Sequence, residues 1–214
     1  MLKVALISQK GGAGKSTLAL HLATEAGVRG LGAAAIDLDP QGNLTRWASR
    51  RGDLPPDVYS EHPAALENGL SAAGGAGKYG IVFMDTAPHA DRGALTAAKS
   101  ADLILIPCRP ATFDLEAIET TLDLCQLAKR PAVVVLNAAP TRSRVVQEAI
   151  RVIVGRGGTV SPVVIHQRVA FQHCLIEGRT AAEFEPDGGA ARELAALYDD
   201  MMARLNGGVP TLQQ

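Results

Sequence analysis

Residues 2–17 read "LKVALISQKGGAGKST": an apolar run, a turn with three glycines, then a stretch in which Leu18, Leu22 and Ala26 recur at helical spacing. Such a turn between a strand and a helix leaves few folds open. It brings successive backbone N–H groups and a helix N-terminus to one point with no Cβ atoms in the way. That point attracts an anion, and the arrangement is that of a phosphate cradle. In it Lys15 would neutralise phosphate oxygens and the Ser16 hydroxyl would meet a Mg2+ ion, with Gly11, Gly12, Ala13, Gly14 and Thr17 completing the loop. The alternative for these residues is a plain tight turn whose lysine faces solvent.

The rest of the 214 residues continues the alternation. Strand-like runs are predicted at 2–8, 33–39, 80–85, 102–107, 132–137 and 161–166, and several are apolar throughout, as in parallel strands covered on both faces. One-sided stripes follow at Val145, Val146, Ala149, Ile150 and Ile153, and again at Leu194, Tyr198, Met201 and Leu205. This rhythm predicts an α/β fold, a doubly wound, mostly parallel β-sheet with helices on both faces. With only 4% aromatic residues, its core must be built from Ala, Val, Leu and Ile between closely approaching elements. Residues 53–78 break the rhythm with proline and glycine and read as a surface insertion. One domain is expected over residues 1–206, with a flexible tail at 207–214.

Composition narrows the function classes. A net charge of −1 argues against global nucleic-acid binding, and Cys108, Cys125 and Cys174 match neither a disulfide framework nor a short metal-ligand pattern. No apolar run approaches membrane length, and a strand beginning at Leu2 leaves no room for a signal peptide, so a cytoplasmic location is expected.

Carboxylates stand where such a loop needs them. "AAAIDLDPQGN" ends a strand with Asp37 and Asp39, and "GIVFMDTAP" ends another with Asp85. Acidic residues at the tips of adjacent parallel strands face the crevice in which these sheets bind ligands. Each could equally cap a helix or a turn.

The loop is K-G-G-x-G-K-[ST], with Gln9 where the common phosphate-loop pattern has glycine. In this it resembles the deviant-Walker P-loop ATPases of the ParA and MinD family. The resemblance implies ATP and ADP with Mg2+ as ligands and slow basal hydrolysis. It implies that Lys10 reaches across an ATP-bound homodimer to the partner's phosphates, as against an ordinary loop lysine. It also implies that Asp39 in D-x-D-P-Q-G-N orients the attacking water and that Asp85 holds the metal through water. Asp37 would support the loop or the metal shell, and Asn137 in "VVVLNAAP" would contact adenine. The segment "IHQRVAFQHCLIEGRT" resembles the C-terminal pattern of small ParF-type proteins, which lack an N-terminal operator-reading domain; none is expected here.

Charge is segregated: residues 129–156 carry +5, leaving −6 elsewhere. Arg144 and Arg151 are seven apart on one helix face, with Arg142 nearby, a candidate patch for non-specific duplex DNA against the alternative of a solvated face. The resemblance favours DNA and implies a centromere-binding adaptor of ParB or ParG type, no membrane, and nucleoid association. Arg46, Arg50 and Arg51 form a second cluster without an assigned role, beside Trp47, a packing anchor or a base-stacking ring. The function expected is therefore a plasmid or chromosome partition ATPase. A related ATPase positioning another cargo is the alternative. A MinD-like membrane-cycling regulator would need an amphipathic basic C-terminus that "GGVPTLQQ" does not offer. An electron carrier of the nitrogenase-reductase type would need a cysteine pair at the dimer axis, and an enzyme of the dethiobiotin synthetase type would not need Lys10.

Overall fold

The strand runs other than Asp57–Ser60 are apolar because helices pack on both faces of the sheet. The computed structural model describes residues 1–88, 92–141 and 143–207. In chain order it runs β1 (Leu2–Leu6), α1 (Lys15–Val28), β2 (Ala33–Asp37), α2 (Asn43–Arg51), β3 (Asp57–Ser60), α3 (Leu66–Gly75), β4 (Ile81–Asp85), α4 (Arg92–Ser100), β5 (Leu103–Cys108), α5 (Thr112–Glu116), α6 (Ile118–Ala128), β6 (Ala132–Leu136), α7 (Val145–Gly155), α8 (Ala170–Ile176), α9 (Ala181–Phe184) and α10 (Gly189–Leu205). The strands form one sheet in the order β3-β2-β4-β1-β5-β6, and every pairing in it is parallel. The doubly wound expectation holds.

Alternate strand residues enter two separate cores, as the two-residue period of a strand demands. Val4, Leu6, Ala35, Phe83, Leu105 and Val135 pack with α1, α2, α8 and α10. Ala5, Ile7, Ile36, Met84, Ile106 and Leu136 pack with α3, α4, α6 and α7. The predicted stripes take their places: Leu18, Leu22 and Ala26 are buried on α1, Ala149 and Ile153 on α7, and Leu194, Tyr198 and Met201 on α10.

Two expectations are corrected. The sixth strand is β3, inside the segment read as an insertion, which also holds α3; four residues on a sheet edge with Tyr59 half exposed are too short to show a period. Conversely, residues 161–166 form no ladder strand. They follow β6 through isolated bridges Val134 to Val160 and Ala139 to His166. Pro162 has no N–H to donate, and the Ser161 hydroxyl turns to Asp200 at 2.7 Å while accepting from the Val163 N–H at 3.2 Å. Of the tail expected at 207–214, only Gly207 lies among the described residues.

Candidate nucleotide site

Strand register assembles the site. Leu6, Asp85 and Asp37 are partners across β1, β4 and β2, so the chain leaves all three strands at one level. From β1 it enters the glycine turn and reaches α1 through Gly14, whose φ of 103° is open only to glycine at low cost. A Cβ there would stand 2.1 Å from the Asn137 amide nitrogen. That nitrogen donates to the Ala13 carbonyl at 2.7 Å, and Asn137 is itself held by its N–H bond to Cys108. Asn137 thus secures the loop from the end of β6, a contact the adenine expectation did not include.

The two lysines of the loop have opposite environments. Lys15 is buried, 6% exposed, and its Nζ donates to the Ser8 carbonyl at 3.0 Å across the loop. Burial lowers its pKa, and Asp85 and Asp39 counteract that. Lys10 is exposed, and its ammonium stands 5.9 Å from the centroid of the Phe113 ring on α5.

The carboxylates separate as clearly. Asp85 is fully buried, and neither of its oxygens has a hydrogen-bond partner among the described residues. Burial pushes its carboxyl up to about 7, and Asp37 and Asp39 add to this, while Ser16 and Lys15 act the other way. A buried carboxyl without partners is costly unless a proton or a cation meets it. Asp37 is satisfied: it accepts from the Asp39 N–H at 3.2 Å and from the N–H and hydroxyl of Thr45, both at 2.9 Å, fastening α2 to the end of β2. Asp39 lines the cleft and accepts from the Gln41 N–H at 2.9 Å.

The cleft beside the loop measures about 810 Å3, within the range of small-molecule sites. Gly11, Gly12, Gly14, Lys15, Ser16 and Thr17 line it, together with Asn137, Ala138, Pro140, His166 and Arg168 from beyond β6. Glu193 on α10 fixes the last two. It accepts from the His166 N–H at 3.0 Å, lies 2.8 Å from the His166 ring, and takes the Arg168 guanidinium. Burial raises the Glu193 pKa, but the bonds from Arg168 and His166 outweigh it and hold the carboxyl below its usual range. These wall residues carry no recognisable spacing in sequence. Neither does Arg109, which lines the cleft just past β5; its only signal is that β5 pairs with β1, which carries the loop.

Of the remaining candidates, Arg50 and Trp47 line the cleft, whereas Arg51, Arg144 and Arg151 do not. Arg144 at the start of α7 and Arg151 are both exposed, and neither side chain has a hydrogen bond or ion pair among the described residues. Arg142 lies outside the described residues. Arg51 and Trp47 are structural. The Arg51 guanidinium is buried against Glu183 at 2.6 Å and above the Trp47 ring, and the indole N–H donates to the Arg179 carbonyl at 3.2 Å.

A metal is tested by the same geometry. Among the described residues no group of three or more His, Cys, Asp or Glu could cage an ion. Mg2+ in phosphate sites takes most of its ligands from water and phosphate, with one or two protein groups. An uncommitted Asp85 beside Ser16 fits that demand.

The nucleotide binding domain shared by CobQ, CobB, MinD and ParA matches residues 4–181. The chain belongs to this ParA/MinD family. The family is one of P-loop ATPases, and the match runs from β1 to α9. Similar to the chain are two proteins named maintenance of carboxysome distribution protein A. The one from Gloeobacter kilaueensis is 31% identical over 91% of the chain and 89% of its own length. The one from Halothiobacillus neapolitanus is 27% identical over 93% and 95%. The chromosome-partitioning ATPase Soj of Thermus thermophilus is 26% identical over 95% of the chain and 96% of its own length. In fold the chain superposes on the septum site-determining protein MinD of Pyrococcus horikoshii, solved with Mg-ADP, with a TM-score of 0.77 at 19% identity over 94% and 95%. Among the described residues no helix is long and apolar enough to cross a membrane.

Proposed function

We propose that this ParA/MinD-family chain is a Mg2+-dependent ATPase that dimerises on ATP, binds duplex DNA non-specifically as a dimer, and partitions a DNA segment through a partner that stimulates hydrolysis. The observation that carries the reading is the opposite placement of the two loop lysines. Lys15, folded back onto Ser8, is positioned for the chain's own phosphates, with Gly11 to Thr17 supplying N–H donors around it. Lys10 is exposed and absent from the cleft lining, its ammonium 5.9 Å from the Phe113 ring, where a second molecule can meet it. A cation aimed at a partner's terminal phosphate stabilises the dimer only while that phosphate is present.

Within the site, Ser16 and Asp85 would hold the metal, Asp85 through water. Its ion neutralises charge on the phosphate oxygens when bound. Asp37 holds the start of α2 rather than the ion. Asp39, on the segment that α2 and Asp37 fasten, orients the water for attack. Asn137 serves the loop first and the base at the same strand end second. Arg144 and Arg151, uncommitted and exposed on α7, supply a phosphate-contacting face that a dimer doubles. The partner is a centromere-binding protein of ParB or ParG type, and the complex resides on the nucleoid in the cytoplasm.

A second reading keeps the same cycle with a different cargo. The 31% identity to a carboxysome-distribution protein over 91% of the chain favours it. Both readings share DNA as the track. The test is binding to non-specific duplex DNA with no nucleotide, ADP, ATP and a slowly hydrolysed ATP analogue, across a salt titration. Binding only with ATP or the analogue, falling steeply with salt, supports the proposal. Equal binding in all states, or none, removes DNA as the track.

A further inference from the structure

Arg109 leaves the C-terminal end of β5 beside the strand that feeds the glycine loop, since β5 pairs with β1 through Leu105 and Leu6 and the Ile7 N–H bonds to the Leu105 carbonyl at 3.0 Å. Its backbone is pinned there. The Arg109 carbonyl accepts from the Ala111 N–H at 2.8 Å and from the Cys108 thiol at 3.4 Å. The side chain lines the cleft and lies over the loop: a Cβ on Gly12 would stand 3.6 Å from one of its Nη atoms. Gly12 belongs to the turn whose N–H groups face the anion, so the guanidinium and the cradle share one small volume.

Its lack of partners is informative. Arg51 is committed to Glu183, Arg168 to Glu193 and Arg29 to Glu25 and Asp199. Arg144 and Arg151 are exposed and unpaired among the described residues like Arg109, but of these three Arg109 alone lines the cleft. The Arg109 guanidinium has no hydrogen bond or ion pair among the described residues. Five donors in a planar fork are left beside a phosphate cradle, and that fork matches the oxygens of a terminal phosphoryl group.

We propose that Arg109 is a nucleotide-state-sensing residue, which contacts the terminal phosphate of ATP bound in the same protomer and so favours ATP over ADP. The inference rests on the ATP-binding reading of the loop. It gives the site a third cation whose role differs from those of the two lysines. Lys15 attracts the phosphates of either nucleotide from within the loop, Lys10 faces a second copy, and Arg109 covers the cleft from β5. In ADP the group it contacts is absent, so its contribution vanishes with hydrolysis.

The test is equilibrium titration of fluorescent ADP and of a fluorescent, slowly hydrolysed ATP analogue into wild type, Arg109→Ala, Arg109→Lys and Lys15→Ala, with thermal melts alongside. Arg109→Ala is expected to weaken the ATP analogue by about tenfold or more, the scale of one lost charge-assisted hydrogen bond, and to leave ADP within about twofold. Arg109→Lys should fall between the two. Unchanged affinity for both nucleotides in Arg109→Ala, or an equal loss for both, overturns the inference while the reading of the loop stands, provided Lys15→Ala loses both. If the wild type binds neither nucleotide, the reading of the loop and the inference fail together.

Discussion

The Lys10 ammonium stands 5.9 Å from the centroid of the Phe113 ring, on the outside of a loop whose other lysine is buried against Ser8. An exposed cation over an exposed ring is held by a weak attraction, worth less than about 1 kcal/mol. It is therefore free to be drawn to a stronger anion on an approaching molecule. Lys10→Ala is expected to leave ATP affinity within about twofold and to abolish the ATP-dependent dimer. Sedimentation velocity with the slowly hydrolysed analogue checks this, and a dimer in the variant would assign Lys10 to the loop alone.

Gly14→Ala should fail for two reasons at once. Its φ of 103° strains any side chain, and the added Cβ would meet the Asn137 amide 2.1 Å away. Strain of this kind costs about 1–3 kcal/mol, which lowers Tm by about 5 °C in a chain of this size. Displacing Asn137 also frees the Ala13 carbonyl and loosens the cradle. Nucleotide affinity should drop together with Tm; a variant that melts lower but binds normally would separate the strain from the site.

Asp39→Ala is expected to bind the ATP analogue and to dimerise while turnover falls by about a hundredfold or more, the scale for a positioned acid–base or water-orienting group. Phosphate release under saturating ATP measures it. Turnover at the wild-type level would assign the water to another residue.

Replacing Arg144 and Arg151 together by alanine removes two uncommitted cations from α7 without touching a buried contact. DNA affinity in the ATP state should weaken, and the slope of log K against log salt should fall by about 2 per protomer. An unchanged slope would move the DNA surface elsewhere.

His21 makes stability depend on acid. Its Nδ1 lies 2.7 Å from the Thr17 carbonyl, which can only accept, and its Nε2 lies 3.0 Å from the Ala181 N–H, which can only donate. The ring is therefore neutral with its proton on Nδ1. Burial pulls its pKa down from 6.5 to about 4 against the Thr17 bond and Glu183, with Arg51 adding to the fall. The unfolded chain takes up the proton first, so stability declines as pH drops from 6.5 toward 4, by roughly 3 kcal/mol in full. Urea midpoints at pH 7.5 and pH 5 should differ in that direction, and His21→Gln should reduce the difference; an undiminished difference in that variant would place the titration in other groups.

Much of this protein was legible because its signals are local. The loop from Lys10 to Thr17 needs specific residue types at fixed spacing. The apolar strands announce burial on both faces, and the stripes of α1, α7 and α10 announce one buried side each. These depend on neighbours within a turn or two of chain, so the sequence by itself determined the doubly wound fold and the glycine turn between β1 and α1.

The rest depended on distance in space. Strand β3 is four residues on an edge, too short for a period, while residues 161–166 look like a strand but cannot complete a ladder with Pro162 and with Ser161 turned to Asp200. That Asp37 fastens α2 while Asp85 stays uncommitted was undecided between two carboxylates at equivalent strand ends, because Thr45 and the closing of β2 against β4 settle it. Asn137 reaching Ala13, Glu193 bracing His166 and Arg168, and Arg109 lying over Gly12 each join residues 25 to 124 positions apart. Only the tertiary structure decided them, since strand order, not chain order, sets which side chains meet.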